Sequence, residues 1–225
     1  MKKKISLIFL CFILSKQVLR AQEVFKTMFY NVLNYPLQEP ASRIQDLGVI
    51  LNNYRPDLFM ICELNNEQGA DDILNVLTNI NADYNRAQFV LNTSDNNIGD
   101  QNKLQNMLYY DSSKFILQSQ HEVTTIYRDF NHYIIKLNTI GQDSTPIILN
   151  VFITHLKSSS GTENQDLRLQ MVNNFVTYLD SNLANDSYII LGGDLMKNPK
   201  PVNKPIADNM ESTFIDFYTM TKIQQ

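Results

Sequence analysis

Seven short runs rich in Ile, Val, Phe and Tyr punctuate the chain, and three stretches with a helical period lie between them. The runs are "VFKTMFYNVL", "DLFMICEL", "AQFVL", "NMLYYD", "HYIIKL", "PIILNVFITHL" and "SYIILGG". β-Branched and aromatic residues in runs this short, some of them alternating, suit a pleated surface buried on one or both faces. The helical stretches differ in spacing. In "ASRIQDLGVILNNY", Ile44, Leu47, Leu51 and Tyr54 recur every three or four residues. "DDILNVLTNI" repeats the pattern with Ile73, Val76, Leu77 and Ile80. "DLRLQMVNNFVTYLDSNL" carries a stripe of Val172, Phe175, Val176, Leu179 and Leu183. A stripe of this kind gives a helix one face to bury, so the series implies sheets covered by helices, an α/β (α+β) arrangement. The sequence holds no internal repeat and no low-complexity linker, and 225 residues suffice for one sizeable domain. The polar, glycine-containing "NTSDNNIGDQNKLQ" reads as a surface loop of the sort that borders binding clefts.

Polar residues fall at the ends of four runs. Asn31 closes "TMFYN", Glu63 closes "LFMICE", His155 closes "VFITH", and Asp194 follows "YIILGG". With suitable strand directions all four emerge at one rim. Carboxylates and carboxamides are hard oxygen ligands for magnesium, manganese or calcium. A histidine beside them can bond to a phosphoryl oxygen or move a proton. Together they suit phosphoester hydrolysis, in which a cation neutralises developing charge and oriented groups position water. Each residue alone has an ordinary structural explanation: a turn asparagine, the first exposed residue after a buried strand, a satisfied rim histidine, an Asx turn or helix cap. Recurrence at four strand ends is harder to reach by chance, though it names no reaction.

The surrounding segments narrow the reading. "FYNVLNY", "RPDLFMICEL", "LYYDSSKF", "FITHLKSS" followed by "RLQMV", and "YIILGGDL" occur in an order that resembles the endonuclease/exonuclease/phosphatase (DNase I-like) superfamily, over roughly Phe25 to Leu195. The resemblance implies a four-layered sandwich of two packed, mainly antiparallel β-sheets with helices outside. It also implies an active site at one rim holding a divalent cation, usually magnesium. By the same resemblance, Asn31 lies near metal and phosphate, and Glu63 is the principal metal ligand. Tyr110, or else Tyr109, falls in the region of a phosphate-contacting tyrosine. Arg128 in "IYRDFNHYIIKL" is either an arginine near the substrate or a solvated turn residue. His155 would contact the scissile phosphate and Asp194 would orient the attacking water.

Two departures stand against this pattern. The asparagine of a Gly-Asp-x-Asn motif would fall at position 196, which is Met196, with Asn198 two residues on. A thioether is a weak acceptor and cannot replace a carboxamide. The three histidines are His121, His132 and His155, so the family's final Asp-His pair has no counterpart after Asp194. The expectation is a domain lacking its last strands, with "STFIDFYTM" as one substitute strand and Asp216 its only carboxylate.

The first residues follow another logic. Lys2, Lys3 and Lys4 precede the apolar run "ISLIFLCFIL" and then "SKQVLRAQ". A basic start with an apolar run of about ten residues predicts a secretory signal, and the run falls short of the ~20 residues that span a bilayer. Cleavage after Ala21 leaves residues 22–225 as an exported domain, periplasmic or secreted, with no stable membrane anchor. Residues 22–225 carry 14 basic and 23 acidic residues, a balance of −9. That disfavours a broad electrostatic footprint on nucleic acid but leaves room for a local basic patch. Cys62 is then the single cysteine, in an apolar run that predicts a buried thiol and no internal disulfide.

Three functions follow from these readings. The first is an exported, metal-dependent phosphoesterase with nuclease-like hydrolysis of phosphodiesters, acting as a monomer. Its substrate is a phosphoester: DNA, RNA, phospholipid or inositol phosphate. The second is a catalytically impaired, truncated relative or a non-enzymatic binding protein of the same fold. The third, an unrelated secreted β-rich adhesion protein, leaves the order of the motifs to coincidence.

Overall fold

A computed structural model describes residues 23–94, 104–139, 146–195 and 222–223. The apolar runs form two four-stranded sheets. After a short β1 (Glu23–Val24), the first sheet comprises β2 (Thr27–Tyr35), β3 (Leu58–Leu64), β4 (Tyr84–Arg86) and β5 (Gln105–Asp111), in the order β2-β3-β5-β4. The second comprises β6 (Phe115–Val123), β7 (Phe130–Leu137), β8 (Ile148–His155) and β9 (Tyr188–Asp194), in chain order. β10 (Lys222–Ile223) pairs antiparallel with β1.

Each large sheet is mixed, with one parallel pair and two antiparallel ones. The parallel pairs are β2/β3 and β8/β9. Parallel neighbours need a crossover long enough for a helix, and the helical periods supply it. Helix α1 (Arg43–Tyr54) joins β2 to β3. Helix α2 (Glu67–Ile80) follows β3, its first turn capped by Asn66, whose side chain accepts the Gly69 N–H at 2.9 Å. Helix α3 (Thr162–Asn182) joins β8 to β9.

The core follows the same plan. Leu47 and Leu51 of α1 and Ile73 and Leu77 of α2 share one buried cluster with Phe59, Ile61, Tyr133 and Val151. That cluster fills the space under the helices and between the sheets. A second cluster lies on the far face of the second sheet, where Phe130 and Phe152 meet Met171 and Phe175 of α3. The Phe130 and Phe175 rings stack with centroids 4.2 Å apart. The result is the four-layered order helix, sheet, sheet, helix.

Several details differ from the sequence reading. "AQFVL" is not a strand: the Ala87 N–H still reaches the Leu108 carbonyl at 3.0 Å, but Gln88 pairs with a side chain, donating to Gln120 Oε1 at 2.9 Å while Gln120 Nε2 returns to Gln88 O at 3.1 Å. The nine-residue strand β6 carries few apolar residues because it lies at a sheet edge with its alternate positions exposed. The buried stripe of α3 runs through Met171 and Phe175, while Val176 is 45% exposed. Cys62 is buried and free, as its apolar run implies. No helix among the described residues is long and apolar enough to cross a membrane. The leader, Met196, Asn198, Asp216, "STFIDFYTM" and residues 95–103 of the polar loop lie outside the described residues.

Candidate metal centre

Both parallel pairs present their C-terminal ends to the same rim. In register, Asn31 lies beside Cys62 and His155 lies beside Asp194. β-Bulges then aim Glu63. On one side, Cys62 and Glu63 face the single residue Asn106, because pairing steps from Ile61–Met107 to Leu64–Gln105. On the other, Val32, Leu33 and Asn34 face Glu63 alone, because pairing steps from Asn31–Cys62 to Tyr35–Leu64. Extra residues of this kind bend a strand and redirect its side chains. The backbone records the distortion: φ is 62° at Glu63, 48° at Leu33 and 54° at Asn34. A non-glycine residue there costs about 1–2 kcal/mol, and such strain persists where the surroundings over-determine it.

Asn31 ties the cluster together. Its Oδ1 accepts the Leu33 N–H at 2.8 Å, which turns Nδ2 toward the carboxylates. Nδ2 donates to Glu63 Oε1 at 2.8 Å and to Asp194 Oδ2 at 3.1 Å. Asn31 thereby holds both carboxylates in place, with one lone pair of its oxygen used by the backbone.

Two glycines bring Asp194 to this place. A Cβ on Gly192 would lie 2.7 Å from Met60 Sδ, and one on Gly193 would lie 2.6 Å from the Thr154 carbonyl oxygen. The first allows β9 to approach the other sheet and the second allows it to approach β8.

His155 is 4% exposed. Burial foremost, and the nearby Arg128 charge next, lower its pKa to about 4, so the ring is neutral at pH 7. Its Nε2 lies 3.6 Å from Glu63 Oε1, beyond hydrogen-bond range, and with a neutral ring the contact is not an ion pair. Its Nδ1 is buried and has no hydrogen-bond partner among the described residues.

The remaining expected residues do not join the cluster in the expected way. Arg128 is neither a solvated turn residue nor open to solvent, being 3% exposed. Its Nη1 donates to the carbonyls of His155 at 3.3 Å and Leu156 at 3.0 Å, so it braces the backbone that carries the histidine. Tyr110 and Tyr109 pair with Leu58 and Phe59, at the opposite end of β3 from Glu63. At about 3.3 Å per residue that is roughly 16 Å away along the strand. Tyr110 is buried, and Tyr109 donates to the Ala70 carbonyl at 3.0 Å. The residue of β5 opposite the bulge is Asn106, whose Nδ2 donates to Asn131 Oδ1 at 2.8 Å. Asp129, also unanticipated, is buried and accepts from the backbone and hydroxyl of Thr93 at 2.7 and 2.9 Å, fixing the root of the polar loop beside Arg128.

Glu63, His155 and Asp194 each offer one ligand atom, all within 4.8 Å of one another. Two carboxylates, mutually repulsive unless bridged by positive charge, together with an imidazole fit a divalent cation that takes oxygen and nitrogen ligands. The buried, unpartnered Nδ1 of His155 shows that the ring's hydrogen bonding is not completed by the described protein.

Two paired sheets covered by helices are the fold shared with the endonuclease/exonuclease/phosphatase proteins. No family model matches the sequence and no curated protein matches it; the likeness is structural. ANGEL2, a 2',3'-cyclic phosphatase in complex with adenosine-2',3'-vanadate, superposes with a TM-score of 0.61 at 16% identity, over 85% of this chain and 58% of that one. TDP2 from D. rerio, complexed with a single-strand DNA product, gives 0.53 at 15% identity, over 78% and 62%. An endonuclease/exonuclease/phosphatase family protein from Bacteroides thetaiotaomicron gives 0.52 at 10% identity, over 80% and 66%. The chain thus spans under two thirds of the length of each, and at these identities the likeness establishes the fold alone.

Proposed function

We propose that the protein is a divalent-metal-dependent phosphoesterase that hydrolyses phosphodiesters in the manner of a nuclease. The observation that carries this reading is the convergence of Glu63, His155 and Asp194 from both sheets, with Asn31 bonded to both carboxylates. The phosphatase name of ANGEL2 and the DNA product bound to TDP2 support it by analogy of fold. Glu63 and Asp194, with His155, would hold the cation, which when bound supplies charge neutralisation at the phosphoryl oxygens.

The chain's own residues do the rest. Asn31 keeps the two carboxylates at a fixed separation and orientation. Asp194, partly exposed at the end of β9, accepts a hydrogen bond from a water approaching the rim. His155, neutral and held through its own carbonyl by Arg128, would complete the cation's ligands without adding a positive charge beside it. Tyr110 and Tyr109 take no part. Magnesium-stimulated hydrolysis of bis(p-nitrophenyl) phosphate and of plasmid DNA tests the reading. Glu63→Ala should reduce both strongly, and equal rates in wild type and variant would refute it.

Met196, where the resemblance would place an asparagine, favours a second reading: cation binding with little turnover. Calorimetric cation binding without hydrolysis would select it. We further propose export after cleavage near Ala21 and a monomeric state, which N-terminal sequencing of the secreted protein and light scattering would test.

A further inference from the structure

We propose that the cavity beside Asn31 binds the base of a nucleotide whose phosphate lies at the carboxylate cluster. The placement of the phosphate rests on the phosphoesterase reading; the character of the cavity does not. The cavity, about 340 Å³, opens between the bulged end of β2 and helix α1, and Asn31 lines it while also bonding to Glu63 and Asp194. Its volume is at the small end of ligand sites, which span about 300–1,000 Å³.

The lining selects among the phosphoester classes. Tyr30 and Leu33 are 37% and 54% exposed, an aromatic ring and an aliphatic side chain held out at the cavity wall. Arg43 is the one cation there, and three of its five N–H groups are used: Nη1 donates to the Val32 and Leu33 carbonyls at 2.8 and 3.0 Å, and Nη2 to the Gln38 carbonyl at 2.6 Å, while Nε is buried with no partner among the described residues. Asp46 is exposed at the wall with no hydrogen-bond partner among the described residues. A second phosphate, as in an inositol polyphosphate, would meet a carboxylate and an arginine whose Nη1 is spent on backbone carbonyls. An acyl chain would have to bury that carboxylate. A heteroaromatic base meets neither obstacle: its face can stack on Tyr30, and its exocyclic N–H groups can donate to Asp46. Stacking on an aromatic ring tolerates every base, while an exocyclic N–H to donate to Asp46 exists only on adenine, guanine and cytosine, so the site would favour those over uracil and thymine.

Binding of adenosine 5'-monophosphate and of ribose 5-phosphate to the full chain, followed by calorimetry, tests this without turnover. The monophosphate should bind at least tenfold more tightly than the sugar phosphate, roughly the worth of one stack. Tyr30→Ala should erase most of that preference and Asp46→Ala, which removes the acceptor, should reduce it, both leaving ribose 5-phosphate binding unchanged. Equal binding of the two ligands, no binding of the monophosphate, or a preference that survives Tyr30→Ala would overturn the proposal. Failure of the phosphoesterase reading shows separately, as hydrolysis of bis(p-nitrophenyl) phosphate that does not depend on Glu63.

Discussion

Glu63 sits where a glycine would be more comfortable, and that can be measured. At φ 62° a side chain with a Cβ costs about 1–2 kcal/mol relative to glycine. Glycine offsets part of this through its larger loss of backbone freedom on folding, about 0.5–1 kcal/mol. The comparison to make is Glu63→Gly against Glu63→Ala. Both remove the carboxylate near Asp194 and the bond from Asn31, so those effects cancel between the variants. At an ordinary strand position alanine would be the more stable; here glycine should lead by about 0.5–1 kcal/mol. Urea unfolding at pH 7.5 with chelator present, with equal m-values in the two variants, gives the difference directly. Neither variant should hydrolyse phosphodiesters. If the alanine variant is the more stable, Glu63 is not held in a strained conformation and the bulge account of its aim is wrong.

Other outcomes follow from the same geometry. Excess magnesium should raise the midpoint of thermal unfolding, by about 2.7 kcal/mol of stability at a hundredfold excess over Kd, and Glu63→Ala should abolish the shift. Gly193→Ala should cost about 1–3 kcal/mol, because the added methyl meets the Thr154 carbonyl on the adjacent strand; unchanged stability would show that β9 can retreat. Acid should destabilise the protein through His132, which is buried between Asn150 and Tyr178 with its pKa lowered to about 4, chiefly by burial. The unfolded chain takes up that proton first, near pH 6.5, so stability is full above pH 6.5 and falls by about 3 kcal/mol as pH drops to 4. Unfolding free energies for wild type and His132→Gln between pH 7.5 and 4 should diverge by that amount, with the variant the flatter.

The layered fold was legible because its buried parts declare themselves: "LFMICEL" and "VFITH" are buried along almost their whole length and read as continuous apolar runs. β6 was not, since an edge strand with alternate exposed positions needs few apolar residues and "FILQSQHEV" has few. The grouping of Glu63, His155 and Asp194 was legible because each stands at or next to the end of a strand. The directions of Asn31, Arg128 and Tyr110 were not, and for distinct reasons. An amide's orientation depends on a backbone N–H two residues away that only the bulge supplies. Arg128 faces inward because two carbonyls after a neighbouring strand accept its protons. Tyr110 follows from antiparallel register, which carries the end of β5 to the far edge of the sheet.

The bond from Asn31 to Asp194 joins side chains 163 residues apart and crosses from one sheet to the other. An intermediate with only one sheet formed would hold at most two of the three ligand atoms. Closing so long a loop is among the slow events of folding, so competence to bind the cation should arise late and all at once. Cation uptake during refolding would then time the docking of the two sheets, and any lesion that loosens their packing would register as lost affinity before it registered as lost secondary structure.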